Sequence, residues 1–293
     1  MSHSPWVAIQ RNPMSGSGRR RPLLDFVHAL RKLGLRPRLF SRREQLDLAL
    51  SDPERRGTLH ALVAAGGDGT VLDVINRHPG LPIGVLPLGT ENLLARQFGI
   101  PRDGARAAAI VAAGHTVPLD LGRIAERRFS IMVSAGLDAA VLHSAHALRT
   151  GHIGRSHYIW PIWRTLCSFD YPELRVFGDG SDQPVVGQLV IAANLASYAL
   201  GLPLVPTARG DDGLLDVRVF RHRSTFHLLR DLSMLMCGRH DQMKNVASMR
   251  VTQLRIESDV PVAVQADGDP AGTTPCNIAI EPNAVRLFVP RPT

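Results

Sequence analysis

Hydrophobic and polar positions in the first third of the chain switch between the strand period and the helix period. Residues 7–12 read as a short strand, stopped by Pro13 and a Ser/Gly loop. Leu23, Leu24, Phe26, Val27, Leu30 and Leu33 recur at helical spacing, and Gly34 stands where a left-handed residue ends a helix. Residues 35–40 alternate as a strand. Ser41 is then placed as N-cap of a helix through Leu50, with Glu44 completing a capping box. Strands over 60–64 and 83–86 alternate with helices over 70–78, 92–98 and 103–113. This order predicts βαβ units and a Rossmann-like parallel sheet with helices on both faces.

The texture changes near Thr116. Residues 118–124 and 128–134 read as a hairpin around Glu126, followed by helical segments over 138–148 and 156–168. Strand-like runs then dominate (173–177, 185–193, 214–220, 248–256, 260–266, 276–280 and 284–289), with one helix over 224–236. The expectation is an α/β chain: a nucleotide-binding domain over 1–116, then an antiparallel β-rich, β-sandwich-like domain over 117–293. The last strand is free to return to the first domain.

Composition narrows the class. With 293 residues, 44% hydrophobic and 20% charged, the chain can build a core without disulfides or metal. Cys167, Cys237 and Cys276 lie far apart with no CxxC pair, which excludes zinc ribbons and disulfide frameworks and suits a reduced compartment. The N-terminus lacks a basic start followed by an apolar run, so no secretory signal is read there. Residues 183–208 carry no charge, but Gln188, Asn194, Gly201 and Pro203 interrupt them; they read as a buried strand and loop rather than a membrane span. The net charge of +8 is almost all arginine, Lys32 and Lys244 being the only lysines. It suits an anionic partner, a nucleotide or an anionic membrane surface. No basic stripe interleaved with aromatics points to nucleic acid.

The strongest chemical signal is Ala64-Ala-Gly-Gly-Asp-Gly-Thr70, entered from a strand and left by a helix. Glycines there let the backbone approach an anion, and the amides of the following helix start point at it. Asp68 repels phosphate, so it is left to bind a metal ion, a sugar hydroxyl or a backbone amide. Two further polar loops, Asn12-Pro-Met-Ser-Gly-Ser-Gly18 and Pro87-Leu-Gly-Thr-Glu-Asn92, follow strands of the same sheet. Parallel strands end along one edge, where ligands bind, so the three loops together predict a nucleotide crevice.

These residues resemble the diacylglycerol kinase catalytic domain family, which includes bacterial lipid kinases and the sphingosine and ceramide kinases. Gly-Gly-Asp-Gly-Thr is shared with the wider NAD kinase-like group. Asn12-Pro-x-Ser-Gly16, Pro87-Leu-Gly-Thr-x-Asn92, Asp120-Leu-Gly, Asp211-Asp-Gly-Leu-Leu-Asp216 and Asp267-Gly-Asp269 match in order and spacing. The resemblance implies phosphoryl transfer from ATP to a lipid hydroxyl, with Mg²⁺. It implies a nucleotide site at Asn12, Pro13, Ser15, Gly16, Ser41, Gly66, Gly67, Asp68, Gly69, Thr70, Thr90 and Asn92. Asp212 becomes a magnesium ligand with the carbonyls of Arg209 and Leu214, and Asp120 joins an acidic network around metal and water. Asp267 and Asp269 become the base toward the acceptor. The chain departs from the family pattern at Asp269, where Glu is usual, and at Leu93 and Glu91.

His143, His146, His152 and His157 make no full metal set and read as surface or interface histidines, while Trp160 and Trp163 with Ile159 and Leu166 read as core or lipid-facing wall. The expected protein is a cytoplasmic, transiently membrane-associated kinase, free to dimerise. Its rivals are a kinase for a soluble acceptor such as NAD and a non-catalytic nucleotide- or lipid-binding protein.

Overall fold

The computed structural model describes residues 5–12, 20–147, 169–196, 205–221, 224, 227, 230, 234 and 245–291. Two compact units divide the chain: Met1–Leu119 with Asn283–Thr293, and Asp120–Pro282.

The first unit contains β1 (Trp6–Arg11), α1 (Arg20–Lys32), β2 (Arg36–Phe40), α2 (Arg43–Ser51), α3 (Pro53–Gly57), β3 (Leu59–Gly66), α4 (Asp68–Arg77), β4 (Pro82–Pro87), α5 (Leu93–Gln97) and α6 (Gly104–Ala113). Its strands pair in parallel in the order β2-β1-β3-β4, and the end of the last strand, β16 (Cys276–Phe288), pairs in parallel with β4. Val7, Ile9, Ala61 and Val63 bury against Leu23, Phe26 and Leu30 of α1 and Ala107, Ala108 and Val111 of α6. Ala8, Leu62 and Ala64 on the opposite pleat are equally inaccessible, so both faces of the central strands are covered, as a parallel sheet requires.

The second unit is antiparallel. β5 (Thr116–Ile124) leads into β6 (Arg127–Phe129), β7 (Met132–Ala135), α7 (Leu137–Ala147), β8 (Leu174–Gly178), β9 (Val185–Gly187), β10 (Leu189–Ala193), β11 (Leu215–Phe220), β12 (Val246–Val251), β13 (Gln253–Glu257), β14 (Ala263–Ala266) and β15 (Asp269–Thr273). One sheet runs β12-β11-β10-β7-β14-β15; in the other the order is β16-β13-β8-β9. Val176, Leu254 and Ile278 from the latter meet Val133, Val190, Val217 and Val264 from the former in one core. Burying each such side chain is worth about 1.5–3 kcal/mol. The expected fold class is the one observed.

Several expected elements change. Ser41 is not an N-cap: α2 starts at Arg43, with extended Arg42 in the cap position and no side-chain cap, while Glu44 supplies the first-turn negative charge. The run over 185–193 breaks at Gln188, because β9 pairs with β8 and β10 with β7 and β11, in different sheets. At that crossing a Cβ on Gly187 would lie 2.6 Å from Val219 and 2.7 Å from the Phe220 carbonyl oxygen. The run over 248–256 breaks likewise at Thr252, whose N–H and hydroxyl both reach Asp179 at 2.8 Å. The two terminal runs are instead one strand, β16, which carries Asn283 at φ 52. The helices expected over 156–168 and 224–236, and Trp160, Trp163, Ile159, Leu166, His152 and His157, lie outside the described residues or among too few of them to describe. Among the described residues no helix is long and apolar enough to cross a membrane.

Candidate functional site

The C-terminal ends of β1, β3 and β4 bring three loops to one edge of the parallel sheet, and those loops are bonded to each other. Asn12 donates its backbone N–H to the Ala65 carbonyl (3.3 Å) and its amide to the Thr70 hydroxyl (3.3 Å). Gly66 accepts from the N–H groups of Leu88 (2.9 Å) and Gly89 (3.3 Å). Asp68 resolves the choice left open by its charge in favour of backbone amides. Its two carboxylate oxygens accept from the N–H groups of Leu93 and Leu94, each at 3.0 Å, and so cap α5. Asn92 sits in the left-handed region at φ 52 and closes the other side, its amide accepting from Gly89 N–H (2.9 Å) and donating to Gly89 carbonyl (2.7 Å).

Thr70 is buried, and a Cβ on Gly66 would fall 2.2 Å from its hydroxyl oxygen. Above Gly69, by contrast, nothing among the described residues lies within 4 Å of where a Cβ would be. The N–H groups of Thr70 and Val71 turn back to Gly67, whereas those of Asp68 and Gly69 have no partner among the described residues. The ten-residue α4 thus opens its positive end into free space beside Gly69. Thr90 is exposed and its carbonyl accepts from Arg102. Ser41 is exposed just past the end of β2, on the same edge. Glu91 lies 3.9 Å from Arg96, which offsets the extra negative charge. Pro13, Ser15 and Gly16 lie outside the described residues.

The second unit holds the remaining carboxylates. Asp120 is buried; its side chain accepts from Gly213 N–H (2.7 Å) and its own N–H donates to the Gly210 carbonyl (2.7 Å), bracing the Asp211-Asp212-Gly213 turn from inside. Asp212 accepts from Leu214 N–H at 3.2 Å and from the Arg250 guanidinium, which also lies 3.4 Å from Asp216. Asp216 in turn accepts from the Thr207 hydroxyl at 2.6 Å. One carboxylate with the carbonyls of Arg209 and Leu214 is a hard oxygen set of the kind magnesium takes, so the donor chemistry fits. Arg250 competes for the same carboxylate. No group of three or more His, Cys, Asp or Glu among the described residues is arranged for a metal.

Asp267 and Asp269 do not share one site. Asp267 (φ 49) and Gly268 (φ 85) form the two-residue turn between β14 and β15, with Ala266 paired to Asp269. Asp267 turns inward and accepts from Ser130 N–H (2.6 Å), Ser130 hydroxyl (2.9 Å), Ile131 N–H (2.9 Å) and Met132 N–H (3.0 Å). Burial pushes its carboxyl above the usual range, and these donors pull against that rise. Asp269 is half exposed and pairs with Arg127 at 2.6 Å. Of the two, only Asp269 presents an accessible carboxylate. The His143 ring nitrogen meets the Val264 carbonyl at 3.0 Å, a packing contact rather than a ligand set.

Residues 7–124 match the diacylglycerol kinase catalytic domain, and residues 131–289 match the domain described as YegS C-terminal NAD kinase beta sandwich-like. A diacylglycerol kinase of Mycobacterium tuberculosis is 34% identical over 241 residues, covering 79% of this chain and 77% of that one. The chain belongs to the diacylglycerol kinase catalytic domain family. Within this lipid kinase family, a diacylglycerol kinase of Staphylococcus carnosus is 25% identical over 288 residues, 96% of this chain and 94% of the relative. The fold is shared with the crystal structure of a diacylglycerol kinase from Bacillus anthracis strain Sterne, at TM-score 0.70 and 17% identity over 99% of this chain and 98% of the other. A second crystal structure from that organism gives TM-score 0.76 at 20% identity, covering 98% and 96%.

Two residues near these carboxylates were not read as functional from the sequence. Arg127, part of a short basic cluster, proves to be the partner of Asp269. Asn194, read only as a polar interruption of an uncharged run, is fully buried and donates to the carbonyls of Asp120 and Ser130, each at 2.8 Å. A lone buried amide in a Val/Ala strand end is a signal of unmet polar groups nearby, but it does not name them.

Proposed function

We propose that this protein is an ATP- and Mg²⁺-dependent kinase that moves the γ-phosphate of ATP to the hydroxyl of a lipid such as diacylglycerol or a sphingoid base. The observation that carries this reading is the edge where Asp68 ties two loops together while the N–H groups of Asp68 and Gly69 at the start of α4 have no partner among the described residues. A polyphosphate is the ligand those groups suit: amides bond its oxygens, and the helix end offsets its charge. Because Asp68 is spent on Leu93 and Leu94, it stiffens the cradle instead of facing the phosphates.

Phosphoryl transfer asks little covalent chemistry of a protein; alignment and charge stabilisation supply most of the rate. Asp269 is the group we assign to the acceptor hydroxyl's proton, held in orientation by Arg127. Asp267 fixes the turn that presents it. A magnesium ion held by Asp212 with the carbonyls of Arg209 and Leu214 would supply positive charge and order that turn. The acceptor is reached at an anionic bilayer. In support, α1 and β2 expose Arg21, Arg31, Lys32 and Arg36, and Asp25 is the one acidic residue between Arg20 and Arg43.

The test is a screen of γ-phosphate transfer from ATP to diacylglycerol, monoacylglycerol, sphingoid bases, phosphatidylglycerol and NAD, with Asp269→Ala as control. Labelled lipid from the native protein and none from the variant is the expected result. Labelled NAD alone, or equal labelling by the variant, would end this reading.

A further inference from the structure

Asn194 stands at the junction of two networks that each end in a site carboxylate. Residues 130–132 form a strap whose N–H groups all go to the Asp267 carboxylate. Its carbonyls are also used: Ser130 accepts from the Asn194 amide, Ile131 from the backbone N–H groups of Asn194 (2.8 Å) and Leu195 (3.1 Å), and Met132 from Asp267 N–H (3.0 Å). The strap is therefore gripped by Asp267 on its donor side and largely by Asn194 on its acceptor side. The second hydrogen of the same Asn194 amide goes to the Asp120 carbonyl, at the residue whose carboxylate braces Gly213.

We infer that Asn194 is a positioning residue that locks the Asp120–Gly213 brace to the Asp267 clamp, so that the Asp212 turn and the Asp269 turn keep one spacing. This rests on the kinase reading for its consequence, though not for its geometry. The amide is suited to the task because its two N–H bonds are fixed in one plane and diverge toward separate carbonyls. No other described side chain bonds to both segments. The cost of losing it is large for a single small group, since two carbonyls buried in the unit would be left without this donor.

The test begins with hydrogen exchange on the unaltered protein across a denaturant series. Peptides covering 130–132 and 210–213 should open in a common event; separate openings with different denaturant dependence would overturn the coupling. In Asn194→Ala both peptides should exchange about tenfold faster or more, while the β10–β11 ladder stays protected. A Val190→Ala variant serves as a stability-matched control, because Val190 is equally buried but bonds to neither segment through its side chain.

In the transfer assay Asn194→Ala should lower kcat and raise the Mg²⁺ concentration needed for half-activation, with ATP affinity within about twofold of the native value. If only one peptide loosens, or if Val190→Ala produces the same shift in Mg²⁺ dependence, Asn194 is packing and not a positioning group. A native protein without lipid transfer activity would sink the kinase reading alone, because the exchange arm needs no substrate.

Discussion

Gly67 and Gly89 approach so closely that a Cβ on Gly89 would lie 2.5 Å from the Cα of Gly67. The atom in the way is backbone, so no side-chain rotation relieves the contact. Gly89→Ala should separate the two loops and cost about 1–3 kcal/mol. The expected readout is a lower Tm together with weakened nucleotide binding by calorimetry. Unchanged affinity would show that the loops bind no nucleotide.

Asp267 and Asp269 should respond oppositely to the same substitution. Asp267→Asn replaces one accepting oxygen by an NH2 group, whose hydrogens face N–H donors that lose their acceptor, and should cost at least about 2 kcal/mol in urea unfolding. Asp269→Asn removes a half-exposed ion pair with Arg127, worth about 0–1 kcal/mol, yet should abolish transfer. Equal stability losses would contradict the division of roles.

Arg250 holds the Asp212 carboxylate that the proposed Mg²⁺ would need. Removing the arginine's charge in Arg250→Gln should lower the Mg²⁺ concentration for half-maximal activity several-fold. A higher requirement would mean that Arg250 helps to hold the site rather than opposing the cation.

His78 contributes to the loss of stability on the acid side. Burial, then Arg77, lowers its imidazole below 6.5, with Asp47 opposing. As pH falls, the unfolded chain takes up the proton first, so stability present above about 6.5 is lost as pH drops toward the folded value. The Tm of His78→Gln should therefore decline less between about pH 7.5 and 5.5 than that of the native protein.

Most of the alternating first unit was legible because its longer strands and helices have a clear period and the loops carry glycine; the single-turn α3 (Pro53–Gly57) is too short to show one. Periodicity fails where a strand changes sheets. Gln188 and Thr252 leave the alternation intact while the pairing partner switches, and only three-dimensional neighbours record that. The loops of the candidate site were equally visible, but the direction of their carboxylates was not. Asp68 faces amides, Asp267 turns onto the backbone of 130–132, and Asp212 meets an arginine 38 residues away. Local sequence holds the acid; distant residues decide what it does.

The two halves of β16 belong to different compact units, with Asn283 the first residue of the returning half. Leu287 and Arg286, which pair with β4, leave the ribosome only after the whole second unit has been synthesised. The parallel unit is thus begun first and completed last. Clipping the chain just past Pro282 would strip a strand from beside β4, so damage late in the polypeptide would surface in the sheet whose loops we propose as the nucleotide cradle.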